Sequence, residues 1–220
     1  MVSSQIPLQI PIEDRRNRED LVVTSANDQA VKYIEDWPNW PGPLAILCGP
    51  EGAGKTHLAK IWQDRAQAEE WLPTDMTATG SGSIVLVEDI QAGGFSETGL
   101  FHLINSVRAN SGSLLITSRT VPGDWEVALP DLASRLKTAH IVTLNAPDDH
   151  LLSGVLFKLF ADRQLDVQQD VIEYLVVRME RSLAVAQRLV GALDHRALAE
   201  RRGITRPLVR EVLREFDAGR

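Results

Sequence analysis

The stretch Leu44–Trp62 reads LAILCGPEGAGKTHLAKIW and leaves the chain few architectures. Leu44–Cys48 is a continuous apolar run with the length of a buried strand, and from Lys55 onward Leu58, Ile61 and Trp62 recur at helical spacing. Between them, Gly49, Pro50, Glu51, Gly52, Ala53, Gly54, Lys55 and Thr56 satisfy G-x-x-x-x-G-K-[ST] at every fixed position. The chemistry needs those residue types. Glycines let backbone N–H groups turn inward around phosphate oxygens, and the helix N-terminus adds positive potential. Lys55 reaches the terminal phosphates and Thr56 holds Mg2+. With a strand before the loop and a helix after it, the stretch reads as a nucleotide site.

Such a loop needs an acidic strand end, and SIVLVEDIQ, Ser83 to Gln91, supplies one. Ile84–Val87 form the strand, and Glu88 and Asp89 lie at its carboxyl end, where open α/β sheets bind ligands. One acid is expected to organise Mg2+ and the other to polarise a water; spacing does not assign them. A third strand, Ser113–Arg119, carries Thr117 and Ser118, whose hydroxyls either orient that water and sense the γ-phosphate (sensor 1) or simply cap the strand end. A fourth strand is expected at His140–Leu144, and a helix at Glu97–Asn110 buries Leu100, Phe101, Ile104 and Val107. Strands alternating with helices predict a parallel, doubly wound sheet.

After Leu144 the pattern is helical throughout. One helix, capped by Asp148 or Asp149, buries Leu152, Val155, Leu156, Leu159 and Phe160; others span Gln168–Glu180 and Ser182–Glu200, and the last starts at Thr205 with Pro207 in its first turn. Arg206, Arg210 and Arg214 form a stripe on that last helix, but Glu211 and Glu215 interleave with it, as on a solvated face. The chain of 220 residues carries 23 Lys plus Arg against 30 Asp plus Glu, and the net charge of -7 argues against wrapping nucleic acid as a main activity. No segment reaches membrane-spanning length, so the chain is expected to be soluble, without a membrane partner. A single cysteine, Cys48, excludes an internal disulfide and fits a reducing, cytoplasmic compartment.

The N-terminal run QIPLQIPI, Gln5 to Ile12, alternates like a strand, yet Pro7 and Pro11 lack an N–H and confine it to a sheet edge or to no sheet. The polar run Glu13–Asp20 follows as a hinge. The peptide either packs back onto its own domain or is received by another protein's groove or sheet edge.

An α/β nucleotide domain followed by a small helical lid is the layout of AAA+ ATPases. GPEGAGKTHLA, VLVEDI, LLITSRTVPGDW and LPDLASRLKTAHIVTL resemble the ATPase domain of the DnaA family, and most closely its short Hda (HdaA) branch, from Asp20 to the end of the chain. The resemblance adds His57 to the nucleotide-binding set and points to Val22, Val23 and Asn27, within DLVVTSANDQAV, as the segment that holds adenine. It makes Arg135, otherwise an ordinary surface ion-pair residue, the arginine finger that acts on nucleotide held by a neighbouring subunit. The family's sensor 2 arginine falls at Ala184, with Arg181 and Arg188 within one turn on either side. Glu88 stands where the family has Asp, which moves that carboxylate by about one methylene and weakens the metal site. Members of the Hda branch also carry a peptide of the form Q-L-x-L-P-L that docks on the replicative sliding clamp; Gln5, Ile6, Leu8 and Ile10 resemble it, while Gln9 replaces the proline.

The expected organisation is therefore a clamp-binding peptide and hinge over 1–19, a P-loop AAA+ α/β domain over 20–146 and an all-helical lid over 147–220. The resemblance implies a regulatory adaptor holding nucleotide, as ADP with Mg2+, with weak hydrolysis of its own. Its implied partners are DnaA and the β-subunit sliding clamp of DNA polymerase III, with DNA reached only through the clamp. The alternatives are a self-assembling ATPase, acting as a homo-oligomer, and a DnaA-like origin-binding or helicase-loading factor. DnaA itself continues past the lid into a helix-turn-helix reader, and no such segment follows here, so origin reading is not expected.

Overall fold

The nucleotide-domain strands are short, apolar and separated by helices, which dictates a layered α/β structure with parallel pairing. The computed structural model describes residues 21–72, 84–91 and 94–218. Helix α1 (Asp28–Glu35) precedes strand β1 (Leu44–Cys48), helix α2 (Lys55–Ala66), strands β2 (Glu69–Glu70) and β3 (Ile84–Val87), helix α3 (Glu97–Ala109) and strand β4 (Ser113–Ser118). A short 3-10 turn (Pro122–Asp124), helix α4 (Pro130–Leu136) and strand β5 (His140–Thr143) complete this part. The sheet order is β2-β3-β4-β1-β5 and every pairing is parallel.

Every residue of β1 is buried, as a central strand covered on both faces requires. One face is covered by α3 and α4: Leu44, Ile46 and Cys48 pack with Val85, Val87, Leu114 and Ile116 against Leu100, Leu103, Ile104, Val107, Leu132 and Leu136. Helix α2 packs against β3 and β4, and α1 against β5. Helix α3 begins at Ser96, whose side chain accepts from Gly99 N, and turns Leu103 into the core, with Phe101 only partly buried.

Strand β2 has no counterpart in the sequence reading. Two exposed glutamates carry no strand periodicity; pairing with Val85 and Leu86 of β3 is what makes them a strand, and their charges sit on the sheet edge. At the other edge β5 stops at Thr143, although Leu144 N still donates to Cys48 O at 2.7 Å. Near the start of β5 lies an aromatic stack. Tyr33 stacks on His140 (centroids 4.4 Å apart) and on Trp40 (5.1 Å), and Trp40 stacks on the fully buried Trp62 of α2 (5.3 Å). Burial, with Asp36 nearby, pushes the Tyr33 hydroxyl up to about 12.

The described structure divides into two compact units, residues 23–146 and residues 21–22 with 147–218. The second unit contains α5 (Asp149–Asp162), α6 (Gln169–Val176), α7 (Leu183–Glu200) and α8 (Arg206–Ala218). Its core joins Leu152, Leu156 and Phe160 to Val171, Leu175, Leu189, Val190, Leu193, Leu208 and Val209. Asp148 accepts from Leu151 N at 2.7 Å and Ser182 from Val185 N at 3.3 Å, so two of the helices start on side-chain caps. The helix expected to reach Glu180 ends at Val176. On α8, Arg206 of the stripe pairs with Asp170, while the interleaving Glu211 and Glu215 pair with Arg202 and Arg196. Among the described residues no helix is long and apolar enough to cross a membrane. Leu156 is fully buried, so Leu156→Ala should cost about 3 kcal/mol, read as a lowered urea midpoint; a change below about 1 kcal/mol would contradict this packing.

Candidate nucleotide site

The loop between β1 and α2 is shaped by its glycines. Gly52 and Gly54 have φ of 75° and 102°, in the region that L side chains avoid, and Gly54 is the N-cap of α2. At Gly49 a Cβ would stand 2.3 Å from Leu144 O, so only glycine lets the loop leave β1 beside the end of β5. Ala53 is buried, whereas Pro50, Glu51 and Thr56 are exposed and His57 is half-buried. Lys55 folds back over its own loop and donates from Nζ to Gly49 O at 2.6 Å and Pro50 O at 2.8 Å. Burial holds its pKa below the usual lysine value, against the opposing pull of Asp89. A partly desolvated ammonium satisfied by two carbonyls is ready to exchange them for the charged oxygens of a phosphate, which make stronger hydrogen bonds.

The two acids at the end of β3 take different roles. Glu88 Oε2 lies 3.3 Å from Lys60 Nζ on α2, and the same ammonium meets Glu70 Oε2 of β2 at 2.8 Å. Burial works to lower the Lys60 pKa, but the hydrogen bonds it donates to Glu70 and Glu88 outweigh it and leave it raised. Glu88 thus ties β3, α2 and the edge strand together. Asp89 takes a left-handed backbone, φ 42°, held by its N–H donating to Thr117 Oγ1 at 2.7 Å. Its Oδ2 accepts from Arg119 Nη2 at 3.0 Å, while Oδ1 is buried without a hydrogen-bond partner among the described residues.

Thr117 and Ser118 are buried, and their hydroxyls are engaged: Thr117 holds Asp89, and Ser118 Oγ lies 2.6 Å from Thr120 O and 3.1 Å from Gln91 Oε1. Sequence reasoning missed Gln91 and Arg119. Gln91 Oε1 accepts from Arg119 N at 2.7 Å and its Nε2 donates to Thr120 Oγ1 at 2.7 Å, lacing the ends of β3 and β4. The available signal was a cation directly after a hydroxyl-ended strand, in a chain with an acidic strand end.

The residues present fit a divalent cation that arrives with nucleotide. The orphaned Asp89 Oδ1 offers one hard oxygen and the exposed Thr56 another, and no cluster of three His, Cys, Asp or Glu among the described residues holds a metal unaided. Mg2+ is characteristically held in this way, by few protein oxygens together with phosphate oxygens.

The remaining candidates are distributed elsewhere. Asn27 is buried and its Oδ1 accepts from Thr24 N at 2.8 Å, shaping the turn into α1. Val23 is 51% exposed, and Val22 packs against Gly154 in the helical unit, where an added Cβ would meet its Cγ1 at 2.8 Å. In that unit Ala184 is exposed on α7, Arg181 bonds Asp149 at 2.8 Å and Pro147 O at 3.3 Å, and Arg188 lies 5.9 Å from the Phe216 ring. Arg135 sits half-buried in the last turn of α4, and its guanidinium makes no ion pair or hydrogen bond among the described residues. Gln5, Ile6, Leu8 and Ile10 lie outside the described residues.

Known proteins agree with this architecture. Domain III of the replication initiation protein DnaA from Thermotoga maritima superposes with a TM-score of 0.78 at 18% identity, covering 94% of this chain and 99% of that one. AMPPCP-bound DnaA from Aquifex aeolicus gives 0.68 at 18% identity over 84% of this chain and 66% of that longer one. The Thermotoga maritima RuvB Holliday junction branch migration motor gives 0.70 at 16% identity, over 90% and 71% of the two chains. An uncharacterized protein of Haemophilus influenzae is 27% identical over 188 residues, 78% of this chain and 81% of its own length. Residues 154–213 match the family described as Hda, lid domain. The family match covers the helical unit alone, and the solved structures show that the chain shares the α/β fold with helical lid seen in domain III of DnaA.

Proposed function

We propose that the protein is a nucleotide-bound regulatory adaptor in the cytoplasm, which docks on the replicative sliding clamp through Gln5–Ile10 and stimulates ATP hydrolysis by DnaA. The observation that carries this reading is Arg135: it ends a helix anchored by Leu132 and Leu136, yet its guanidinium is engaged by nothing among the described residues, while Arg119 and Lys60 are each spent on an acid. A cation presented in this way can act in trans on charge developing in another protein's phosphoryl transfer. The loop from Gly49 to Thr56 would hold this protein's own nucleotide, with Lys55 on the phosphates and Asp89 and Thr56 supplying oxygens to Mg2+. We read the resident nucleotide as ADP, because Ala184 puts no cation at the sensor 2 position and Arg181 is engaged by Asp149. Charge stabilisation of that kind is a large part of phosphoryl-transfer catalysis, so intrinsic hydrolysis would be weak.

The reading is tested by identifying the nucleotide that copurifies and by clamp pull-down of the wild type and Gln5→Ala. ADP in the preparation, and a pull-down weakened tenfold or more by the substitution, are the expected results. Equal capture of both proteins would remove the clamp from the proposal. Turnover by the purified protein alone, rising with its concentration, would instead assign Arg135 to a site on copies of this chain.

A further inference from the structure

Asp89, the carboxylate best placed to meet a divalent cation, is already held by a cation of the chain's own. Arg119 Nη2 lies 3.0 Å from Asp89 Oδ2, with side-chain exposures of 51% and 36%. An exposed pair of this kind is weak and easily exchanged. Its backbone does not share that freedom. Arg119 N is fixed by Gln91 Oε1, and Asp89 N by Thr117 Oγ1, each at 2.7 Å. The guanidinium can therefore leave Asp89 while its Cα stays at the mouth of the loop. Once released it presents planar, permanently charged donors that match phosphate geometry. Asp89 in turn would add a second free oxygen to its orphaned Oδ1.

The geometry points to Arg119 as a resident counter-ion that competes with Mg2+ for Asp89 and so sets the metal dependence of nucleotide binding. Without the metal the guanidinium screens Asp89 from the phosphates, so nucleotide enters a site that is not electrostatically hostile. With the metal, Asp89 changes partners and Arg119 is freed toward the phosphate oxygens. The inference rests on the nucleotide-site reading of the loop and names a residue that this reading did not include.

The test is a titration of the full chain with a fluorescent ADP analogue, in chelator and across a Mg2+ series, for wild type, Arg119→Gln, Arg119→Lys, Asp89→Asn, the Arg119→Gln/Asp89→Asn double variant and Lys55→Ala. Arg119→Gln should weaken metal-free binding and lower the Mg2+ midpoint, each by about threefold or more. Arg119→Lys should restore both toward wild type. Asp89→Asn should flatten the Mg2+ response, and adding Arg119→Gln to it should not shift the midpoint further. Unchanged melting temperatures would show that these effects are not losses of fold. A Mg2+ midpoint identical in wild type and Arg119→Gln, with binding still lost in Lys55→Ala, would overturn the counter-ion role and leave the nucleotide site standing. No binding by wild type would overturn both.

Discussion

Lys55→Ala should lower affinity for ADP and ATP by about a hundredfold, or roughly 2.7 kcal/mol, because the substitution removes a charge-assisted contact to the phosphates, worth about 1.5–3 kcal/mol. The folded state should tolerate the change. Among the described residues Lys55 Nζ bonds to Gly49 O and the exposed Pro50 O, and α2 keeps its anchors at Leu58, Ala59 and Trp62. Calorimetric titration of nucleotide, with a urea melt alongside, separates the two effects. An affinity within threefold of wild type would sink the assignment of the loop as a phosphate site.

Arg135→Ala should abolish stimulation of DnaA, a loss of about 10³ or more in the stimulated rate if the residue is an arginine finger. The local structure indicates that nothing else need change. Helix α4 is fastened by the buried Leu132 and Leu136, and the Arg135 carbonyl, which any residue supplies, accepts from Thr138 N at 3.0 Å and Thr138 Oγ1 at 2.7 Å. A surface substitution of this kind should shift stability by less than about 0.5 kcal/mol. Clamp capture and nucleotide content should be those of the wild type. Arg135→Lys should not restore the rate, because an ammonium lacks the planar fork that meets a phosphoryl group. Stimulation retained by Arg135→Ala would return the residue to the ordinary surface.

The loop, its flanking strand and its helix were legible because every determinant is local: a run of five apolar residues, glycines at the turn positions and a helical period beginning at Lys55. The helical unit was legible for the same reason, its caps at Asp148 and Ser182 standing directly before periodic apolar runs. Relations made across the sheet were not. That Glu88 faces Lys60 and Glu70, whereas Asp89 faces Arg119, follows from the parallel register of β3 with β2 and β4 and from a left-handed residue at Asp89. No spacing within VEDIQ encodes that division. Gln91 was invisible for a related reason, since its three contacts all lie on residues 118–120, nearly thirty positions away.

The stack of Tyr33, Trp40 and Trp62 on His140 has a mechanical consequence. Helix α2 carries Lys55 on its first turn and Trp62 about two turns later, and Trp62 is clamped between Trp40 and a core with no room to move. A rod pinned at its far end neither slides nor rolls, because interiors packed at crystal density yield in steps and resist gradual strain. Compliance at the loop is then confined to what lies ahead of the pin, Gly52, Gly54 and the long Lys55 side chain. The helix is thereby a fixed anvil behind the loop.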